Sequence, residues 1–374
     1  MTIKPHIVID ARLYGPKHTG IGRYTKNLLV ALKDLPDFNQ FRFTLIVYPE
    51  LLVEIKNDLG PNFSYITTTI KHYSLTEQIQ FPFFLKSLKP DLVHFTHLDK
   101  PIFYFGRSVV TVHDLIRHFS KGGDTTTKNP LLYWPKYFGY LLMTRIILMT
   151  SYIIVPSNFR RDYLINNYHF SKSKVTTTYE AVDPEFLHST PNPSPLTPMP
   201  YLIYTGNLYP HKNINVIIEA LKSLPDIKLK VICARSVFQK RIEKLISQNH
   251  LQKQVEFLGY LKDKDFQKLY STALALVHPS FLEGFSLTGL EAMALNCPVI
   301  SSNASCLPEI YGDSVLYFDP NDPKVLVAQI NNLLTNPSLR QKLIKRGHKQ
   351  VKKYSWITCA TQTLTVYNSA ICQK

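Results

Sequence analysis

The sequence is short of cysteine, glycine and acidic residues, and it lacks long apolar runs. Its five cysteines, in 374 residues, form an odd set with no CxxC or metal-like spacing, which excludes a disulfide-stapled scaffold and indicates reduced thiols. Glycine (14) is outnumbered by proline (25), which indicates loops stiffened by proline. No apolar run reaches the roughly 18 residues of a spanning helix, and the amino-terminal stretch has no signal-peptide core. We therefore expect a cytoplasmic protein.

The shortage of acids leaves a large positive charge that is spread along the chain. There are 27 acidic against 43 basic residues, a net charge of +16. Residues 1–190 hold 22 basic and 15 acidic side chains, and the remainder holds 21 and 12. A spread positive field favours anionic partners such as nucleotides, phosphorylated lipids or an acidic membrane face.

Short apolar runs alternate with longer amphipathic stretches. This pattern predicts an α/β protein with doubly wound parallel sheets, because parallel strands covered on both faces are apolar without strict alternation. The predicted strands are residues 6–10, 41–48, 91–97, 108–114, 152–157, 201–206, 228–233, 255–260, 273–280, 298–302 and 314–319.

A proline-rich segment divides the chain. Five of the twelve residues 189–200 are proline, which fixes the backbone and cannot donate to a sheet. We therefore expect two Rossmann-like domains, 1–190 and 201–355, joined by a linker at 191–200 and followed by a closing helix at 356–374. Ligands of such domains bind beyond the carboxyl ends of the strands.

The strongest chemical signal is a pair of glutamates around a predicted helix start. An apolar strand ends at His278, and Glu291 lies in the second turn of the helix that follows, so two carboxylates flank a set of free amides. This suits the hydroxyls and phosphates of a nucleotide sugar; the alternative is an acid favouring the helix dipole plus a solvated glutamate. The candidate residues are Glu283, Gly284, Phe285, Ser286, Leu287 and Glu291.

A second signal follows the first strand of the carboxyl-terminal half. Gly206 permits a tight turn, Asn207 follows it, and Lys212 can bring a positive charge to a diphosphate. The alternative is an ordinary strand-to-helix loop with Asn213 as the N-cap.

Two weaker signals lie in the amino-terminal half. Gly20 and Gly22 form a glycine loop after the first strand that would let a ligand approach the backbone, although the third glycine of a dinucleotide motif is missing. His113 ends a strand, where it can hydrogen-bond a sugar hydroxyl or assist proton movement. No histidine spacing suggests a metal site, so we predict none.

In their order and spacing, these motifs resemble the retaining GT-B glycosyltransferases of family 4 (glycosyl transferases group 1), especially the mannosyltransferase-like members of cell-surface polysaccharide synthesis. The resemblance touches nearly the whole chain. It implies a GT-B fold, in which two Rossmann-like domains face each other across a cleft, with the acceptor bound by 1–190 and the nucleotide sugar by 201–355. It also implies that the closing helix packs back on the amino-terminal domain.

The resemblance assigns roles to the candidate residues. Glu291 would bind the ribose and Glu283 the transferred sugar, while Lys212 would stabilise the leaving diphosphate near the Gly20–Gly22 loop. His113 would line the reaction centre. Base selection would fall to backbone contacts around Tyr260 and Leu261.

The sequence departs from the family at the diphosphate clamp. Where many members have arginine after the loop glycine, this chain has Asn207, and a second common arginine is replaced by His211. Arg12 and Arg23 are candidates to compensate. Otherwise Lys212 supplies most of the leaving-group stabilisation.

The resemblance thus implies a retaining hexosyltransferase, with GDP-mannose as the expected donor, a lipid-linked, oligosaccharide or other glycan as acceptor, and no cofactor. The first alternative is a UDP-sugar transferase of the same fold that transfers glucosyl or GlcNAc-type residues. A second is a non-catalytic basic nucleotide- or nucleic-acid-binding protein, although no nucleic-acid motif is found.

The most apolar stretch, residues 131–155, places Lys136 and Arg145 beside aromatic residues that include Tyr133, Trp134, Tyr137 and Tyr140. It could lie at an acidic interface, on the inner face of a membrane. The competing interpretation, a buried interdomain helix followed by a strand, is favoured on base rates.

Overall fold

The computed structural model describes residues 4–15, 19–119, 130–188, 199–233, 236–259, 261 and 263–372. Its strands form two separate parallel sheets. The strands are β1 (His6–Asp10), β2 (Arg42–Val47), β3 (Ser64–Thr67), β4 (Leu92–Phe95), β5 (Ser108–Thr111), β6 (Tyr152–Val155), β7 (Val175–Thr177), β8 (Tyr201–Thr205), β9 (Lys228–Ile232), β10 (Val255–Phe257), β11 (Ala275–His278), β12 (Val299–Ser302) and β13 (Leu316–Phe318).

Helices connect almost all of these strands. They are α1 (Thr19–Lys33), α2 (Leu52–Leu59), α3 (Leu75–Ser87), α4 (Ile116–Phe119), α5 (Pro130–Met149), α6 (Asn158–Tyr168), α7 (Pro184–His188), α8 (Ile214–Leu221), α9 (Gln239–Gln248), α10 (Asp263–Thr272), α11 (Leu287–Ala294), α12 (Leu307–Tyr311), α13 (Pro323–Thr335), α14 (Pro337–Val351) and α15 (Trp356–Cys372). Several begin at a side-chain cap: the Ser74 hydroxyl accepts the amide of Glu77 at the start of α3, and Asp322 caps α13.

Both sheets have the doubly wound strand order. The first runs β3-β2-β1-β4-β5-β6-β7 and the second β10-β9-β8-β11-β12-β13. In each sheet, successive strands are added on one side of the first strand and then on the other. This switch point lies between β1 and β4 in the first sheet and between β8 and β11 in the second, and in such sheets a ligand crevice forms there, outside the carboxyl ends of the strands. The predicted fold class, with two Rossmann-like α/β domains, is confirmed.

The central strands are buried because helices cover both faces of each sheet. All five residues of β1 are buried, and all four of β11. By contrast β3 and β7, which the sequence analysis does not predict, are the edge strands of the first sheet and are only partly buried.

The described chain divides into two compact units. The first comprises Met1–Leu115, Leu131–Glu180 and Ser355–Lys374, and the second comprises Ile116–Pro130 and Ala181–Tyr354. The second unit therefore begins before the predicted linker, since Phe186 of α7 packs on Phe266 of α10 with ring centroids 5.8 Å apart. Most of the predicted linker, residues 191–198, lies outside the described residues.

The last helix belongs to the first unit. Helix α15 packs along α1, where the rings of Trp356 and Tyr24 lie 6.0 Å apart. The hydroxyl of Tyr367 lies 2.6 Å from Nδ1 of His94 in β4. A buried polar contact thus fixes α15 against the first sheet.

Helix α5 is not the buried helix that the competing interpretation of residues 131–155 predicts. Several of its large apolar side chains are exposed, among them Leu131, Phe138 and Leu142. Within the described residues, no helix is both long and apolar enough to cross a membrane.

Candidate active site

The strongest candidate residues follow the two strands at the switch point of the second sheet. Strand β8 leads directly into Gly206, and β11 ends at His278 and leads to Glu283. Because parallel strands end at one edge of their sheet, these loops lie at the same crevice. The two loops are joined by a backbone hydrogen bond from Phe281 to the carbonyl of His211, 2.8 Å long.

Lys212 and Glu283 form a bidentate ion pair at this edge of the second sheet. The Lys212 ammonium donates to both carboxylate oxygens of Glu283, at 2.7 and 2.9 Å. Lys212 ends a 3-10 turn (Pro210–Lys212), and its side chain is 19% exposed, against 8% for that of Glu283. The cation is thus held at a defined point with one side toward solvent, where a phosphate could reach it.

Glu283 is kept ionised by its neighbours. Burial by itself would raise its pKa, but the charge of Lys212 and the hydrogen bond with His278 outweigh burial and hold the pKa well below its ordinary value. His278 Nε2 lies 3.2 Å from the Glu283 carboxylate. The Ser305 hydroxyl fixes the backbone by donating to the Glu283 carbonyl and accepting its amide.

The start of α11 is held by a small hydrogen-bond network. Ser286 has a positive φ of 79°, and its hydroxyl lies 2.9 Å from His278 Nε2 and 2.8 Å from the Tyr311 hydroxyl. Tyr311 also accepts the amide of Gly289. A Cβ on Gly289 would lie 2.4 Å from the Tyr311 ring, so only glycine allows this approach. The strained turn therefore fixes the direction in which the first amides of α11 point.

The other residues of this turn contribute backbone more than side chain. The Phe285 side chain is buried, with its ring 5.4 Å from that of Tyr354, and Gly284 is buried beside it. Leu287 is the first residue of α11 and is half-buried. An anion at this helix start would be bound by amides.

Glu291 lies in the second turn of α11, as the sequence predicts, and only 3% of it is exposed. At the end of this helix, the backbone carbonyl of Glu291 accepts a hydrogen bond from the amide of Leu295. Glu291 is therefore a buried carboxylate on the helix whose first turn follows Glu283.

Gly206 and Asn207 form the turn that follows β8. Gly206 has a φ of 140°, which favours glycine, and a Cβ there would meet no atom within 4 Å. Asn207 is exposed and its side-chain oxygen accepts the amide of Tyr209. Of the predicted base-contacting residues, Leu261 is half-buried and Tyr260 lies outside the described residues.

Asn213 occupies the predicted N-cap position of α8, but its side chain does not cap the helix. It has a left-handed backbone and makes no side-chain capping bond. The side-chain amide of Asn213 instead donates hydrogen bonds to the backbone carbonyls of Pro279 and Pro320, at 3.3 and 2.8 Å. It thus ties the loop after β8 to the loops after β11 and β13.

The prediction of a glycine loop at Gly20 and Gly22 is wrong, because both residues lie in the first turn of α1. The Gly22 carbonyl accepts the amide of Gly15, which brings the loop after β1 back onto the helix. A Cβ on Gly20 would meet nothing within 4 Å. The candidate ligand contact in the first unit is therefore a helix start whose early amides have no partner within the helix.

His113 follows β5 and is fixed at both ring nitrogens. Nε2 donates to the Thr96 carbonyl at 3.0 Å, and Nδ1 lies 3.1 Å from the Glu180 carboxylate. Burial by itself lowers the pKa of His113, but Glu180 and the Thr96 carbonyl outweigh it and raise the pKa. Because both nitrogens face acceptors, the protonated ring is favoured. Sequence analysis missed Glu180, which lies in the chain 67 residues away.

Arg12 does not compensate for Asn207, because it is fully buried. Its guanidinium makes ion pairs with Asp10 and Glu77, both at 2.6 Å, and lies 3.9 Å over the Phe81 ring. His72, Glu77 and Asp99 are close enough to suit a metal ion, but Arg12 already supplies a cation to Glu77. Arg12 is therefore part of the packing of the first unit.

Two family models match the chain in succession. Residues 18–186 match the model described as Glycosyltransferase Family 4, and residues 191–350 match the model described as Glycosyl transferases group 1. Among curated relatives, an O-antigen chain mannosyltransferase B from Escherichia coli is 28% identical over 93% of this chain and 96% of its own length.

Solved structures with the same fold cover nearly the whole chain. A sucrose-phosphate synthase from Thermosynechococcus elongatus has a TM-score of 0.74 at 20% identity, covering 97% of this chain and 98% of its own. Anabaena HepE in complex with UDP-glucose has a TM-score of 0.72 at 13% identity, covering 97% of this chain and 99% of its own. These structures show the fold of the two units.

Proposed function

The chain belongs to glycosyltransferase family 4, and from this membership we propose that it moves a hexose from a nucleotide sugar to a glycan acceptor with retention of configuration. The observation that carries the proposal is the Lys212–Glu283 pair beside the start of α11. It combines a fixed cation, a fixed anion and helix-start amides at the crevice of the second sheet.

The roles of the residues follow from their charges. Lys212 and the amides around Ser286 and Leu287 stabilise the negative charge that develops on the departing diphosphate, as preorganised donors do. The ionised Glu283 accepts hydrogen bonds from hydroxyls of the transferred sugar, and Glu291 accepts those of the ribose. These residues all lie within the second unit.

The transfer step needs no base from the protein. The acceptor hydroxyl oxygen bonds to the anomeric carbon on the face from which the phosphate departs, and a phosphate oxygen takes the hydroxyl proton. Because Glu180 and Thr96 engage both ring nitrogens of His113, its role in the proposal is to add positive charge at the end of β5 and not to hydrogen-bond the sugar. The proposal involves no cofactor and no metal: the nucleotide sugar is a substrate, and Lys212 with the α11 amides carries the charge that a cation would carry.

We favour GDP-mannose as the donor and a lipid-linked, oligosaccharide or other glycan of cell-surface polysaccharide synthesis as the acceptor. The name of the full-length mannosyltransferase relative supports this choice. The second candidate is a UDP-sugar transferase, supported by the bound UDP-glucose of HepE, which shares the fold.

Calorimetric titration with GDP, UDP and ADP tests the proposal. We expect one nucleotide to bind saturably to the wild type and to lose binding in Glu291→Ala. The control is Glu243→Ala, which removes an exposed carboxylate on α9. Selective GDP binding supports the mannosyl donor and selective UDP binding the second candidate. If no nucleotide binds at millimolar concentration, the transferase proposal fails and a non-catalytic role becomes the better interpretation.

We further propose that the protein works at the inner face of a membrane, through peripheral contact of α5 with anionic lipid. The exposed apolar side chains of this helix lie beside Lys136 and Arg145, a composition typical of interfacial helices. Such contact would bring a lipid-linked acceptor to the first unit.

A further inference from the structure

A large groove opens in the first unit between the second half of α5, helix α6 and the segment that leads into β7. Its volume is about 840 Å³, within the range of small-molecule sites. Leu141 and Met149 line it from α5, and Tyr163 and Tyr168 line it from α6. We call this cavity the α5–α6 groove. It lies at the amino-terminal ends of β6 and β7, whereas His113 follows the carboxyl end of β5.

The walls of the groove combine apolar surface with unbalanced positive charge. Arg145 and Lys174 are among the ten lining residues, and none of the ten is acidic. Arg145 is exposed, and Lys174 lies with its ammonium 6.0 Å above the ring of Tyr152. The nearby carboxylate of Asp162 is already paired with Arg161 at 3.0 Å. The groove therefore suits a ligand with an apolar body and an anionic head.

The groove is continuous with an exposed apolar stripe on α5. The stripe consists of Leu131, Trp134, Phe138, Leu142 and Met149, each 46% exposed or more. Successive members are three, four, four and seven residues apart, which places them on one helical face over about 27 Å. Met149 belongs both to this α5 stripe and to the groove.

We propose that the α5–α6 groove binds one anionic phospholipid, its phosphate at Arg145 and Lys174 and an acyl chain along the aromatic wall. The inference rests on the membrane contact proposed above and names the lipid that the contact selects. A free phosphate would use the two cations but would leave the apolar wall and the α5 stripe unexplained. A bilayer lipid uses all three, because exposed apolar area and positive charge together bind anionic interfaces.

Vesicle flotation of the full chain tests this, with phosphatidylcholine vesicles that contain or lack phosphatidylglycerol. We expect binding only with phosphatidylglycerol, and about 30-fold weaker binding in Arg145→Ala/Lys174→Ala, since each cation near the surface contributes about fivefold. Lys240→Ala/Lys244→Ala on α9 is the matched control, because it removes the same charge from exposed positions of the second unit. It should change binding less than about threefold.

The two tryptophans provide a site-specific reporter. Trp356 is buried and Trp134 lies on the α5 stripe, so Trp356→Phe leaves emission from Trp134 alone. We expect a blue shift of this emission with phosphatidylglycerol vesicles. Monomeric dihexanoyl phosphatidylglycerol, titrated against glycerol 3-phosphate, separates a lipid site from a phosphate site: the lipid should bind with one-to-one stoichiometry, and glycerol phosphate at least tenfold more weakly.

The inference is overturned if phosphatidylglycerol makes no difference, if both double variants weaken binding equally, or if glycerol phosphate binds as well as the short lipid. Nucleotide titration of the same proteins keeps the proposals separate. Absent lipid binding with intact nucleotide binding refutes the groove and the membrane contact but not the transferase, whereas absent nucleotide binding refutes the transferase.

Discussion

At the residue scale, the number of fixed cations near the second crevice decides how a diphosphate can be stabilised. Asn207 stands where the family pattern has an arginine. Arg12 is buried and makes ion pairs with Asp10 and Glu77. Lys212, held at 2.7 Å from Glu283, is a cation that this crevice holds at a fixed position. The hypothesis that it supplies most of the leaving-group stabilisation therefore stays, and it can be tested.

Lys212→Ala should lower kcat/KM by about 100-fold or more, as the loss of one preorganised charge in an active site does. The change also leaves Glu283 buried without its cation, so the free energy of unfolding should fall by about 3 kcal/mol. Activity per folded molecule, with stability measured by urea unfolding, separates the two effects.

The control is Lys222→Ala, which breaks the exposed pair of Lys222 and Glu219 on α8 and should leave kcat/KM unchanged. A fall of less than threefold in Lys212→Ala would mean that leaving-group stabilisation comes from elsewhere.

At the scale of elements, two glycines in helices occupy opposite environments. Gly289 in α11 lies against the buried Tyr311 ring, whereas Gly20 in α1 faces open space. The same substitution therefore tests packing at one helix and ligand access at the other.

Gly289→Ala should destabilise the protein by about 2 kcal/mol, because the new methyl group overpacks against Tyr311. Moving this ring also disturbs its hydrogen bonds to Ser286 at the start of α11. We therefore expect weaker nucleotide binding together with a lower midpoint of thermal unfolding. Unchanged stability would show that Tyr311 yields without cost.

Gly20→Ala should leave stability unchanged or raise it by about 0.5 kcal/mol, because alanine is the better helix former and its methyl group meets no neighbour. If the start of α1 approaches the donor or product phosphate, kcat/KM should nevertheless fall. Measuring both quantities distinguishes a ligand contact from a helix that merely tolerates glycine. Full activity in this variant would remove Gly20 from the binding set.

At the scale of the whole molecule, a buried contact joins the last helix of the chain to the first sheet. His94 of β4 is fully buried between the Tyr367 hydroxyl of α15, at 2.6 Å, and the Thr111 hydroxyl, at 2.9 Å. Burial, with a smaller effect of the nearby His113 charge, lowers the pKa of His94 to about 3. The ring is therefore neutral in the folded protein at physiological pH.

This contact predicts a loss of stability in mild acid. Between about pH 6.5, the ordinary histidine pKa, and pH 3, the unfolded chain binds a proton at His94 that the folded chain does not, so stability falls as pH falls. From pH 7.5 to 5.0, His94 should account for a loss of about 2 kcal/mol. Urea unfolding of wild type and His94→Gln at both pH values measures it.

The variant should lose less stability over this interval than the wild type, while the exposed His250→Asn should follow the wild type. Parallel losses in His94→Gln and the wild type would show that other groups control the acid response.

The sequence by itself determined the elements and the residue types of the second crevice. Apolar runs covered on both faces predicted β1 and β11, and the motif around Glu283 predicted the start of α11. These features are local, because they depend on neighbours within a few residues. The edge strands β3 and β7 escaped prediction, since partial burial leaves them without a continuous apolar run.

Only the tertiary structure decided which side chains meet. Lys212 and Glu283 are 71 residues apart in the chain, His113 and Glu180 are 67 apart, and Arg12 and Glu77 are 65 apart. No local pattern encodes such pairs, because strand order and packing bring them together. The same reason explains why Arg12, which looked available in the sequence, is buried as a structural ion pair, and why the apolar residues of α5 face solvent.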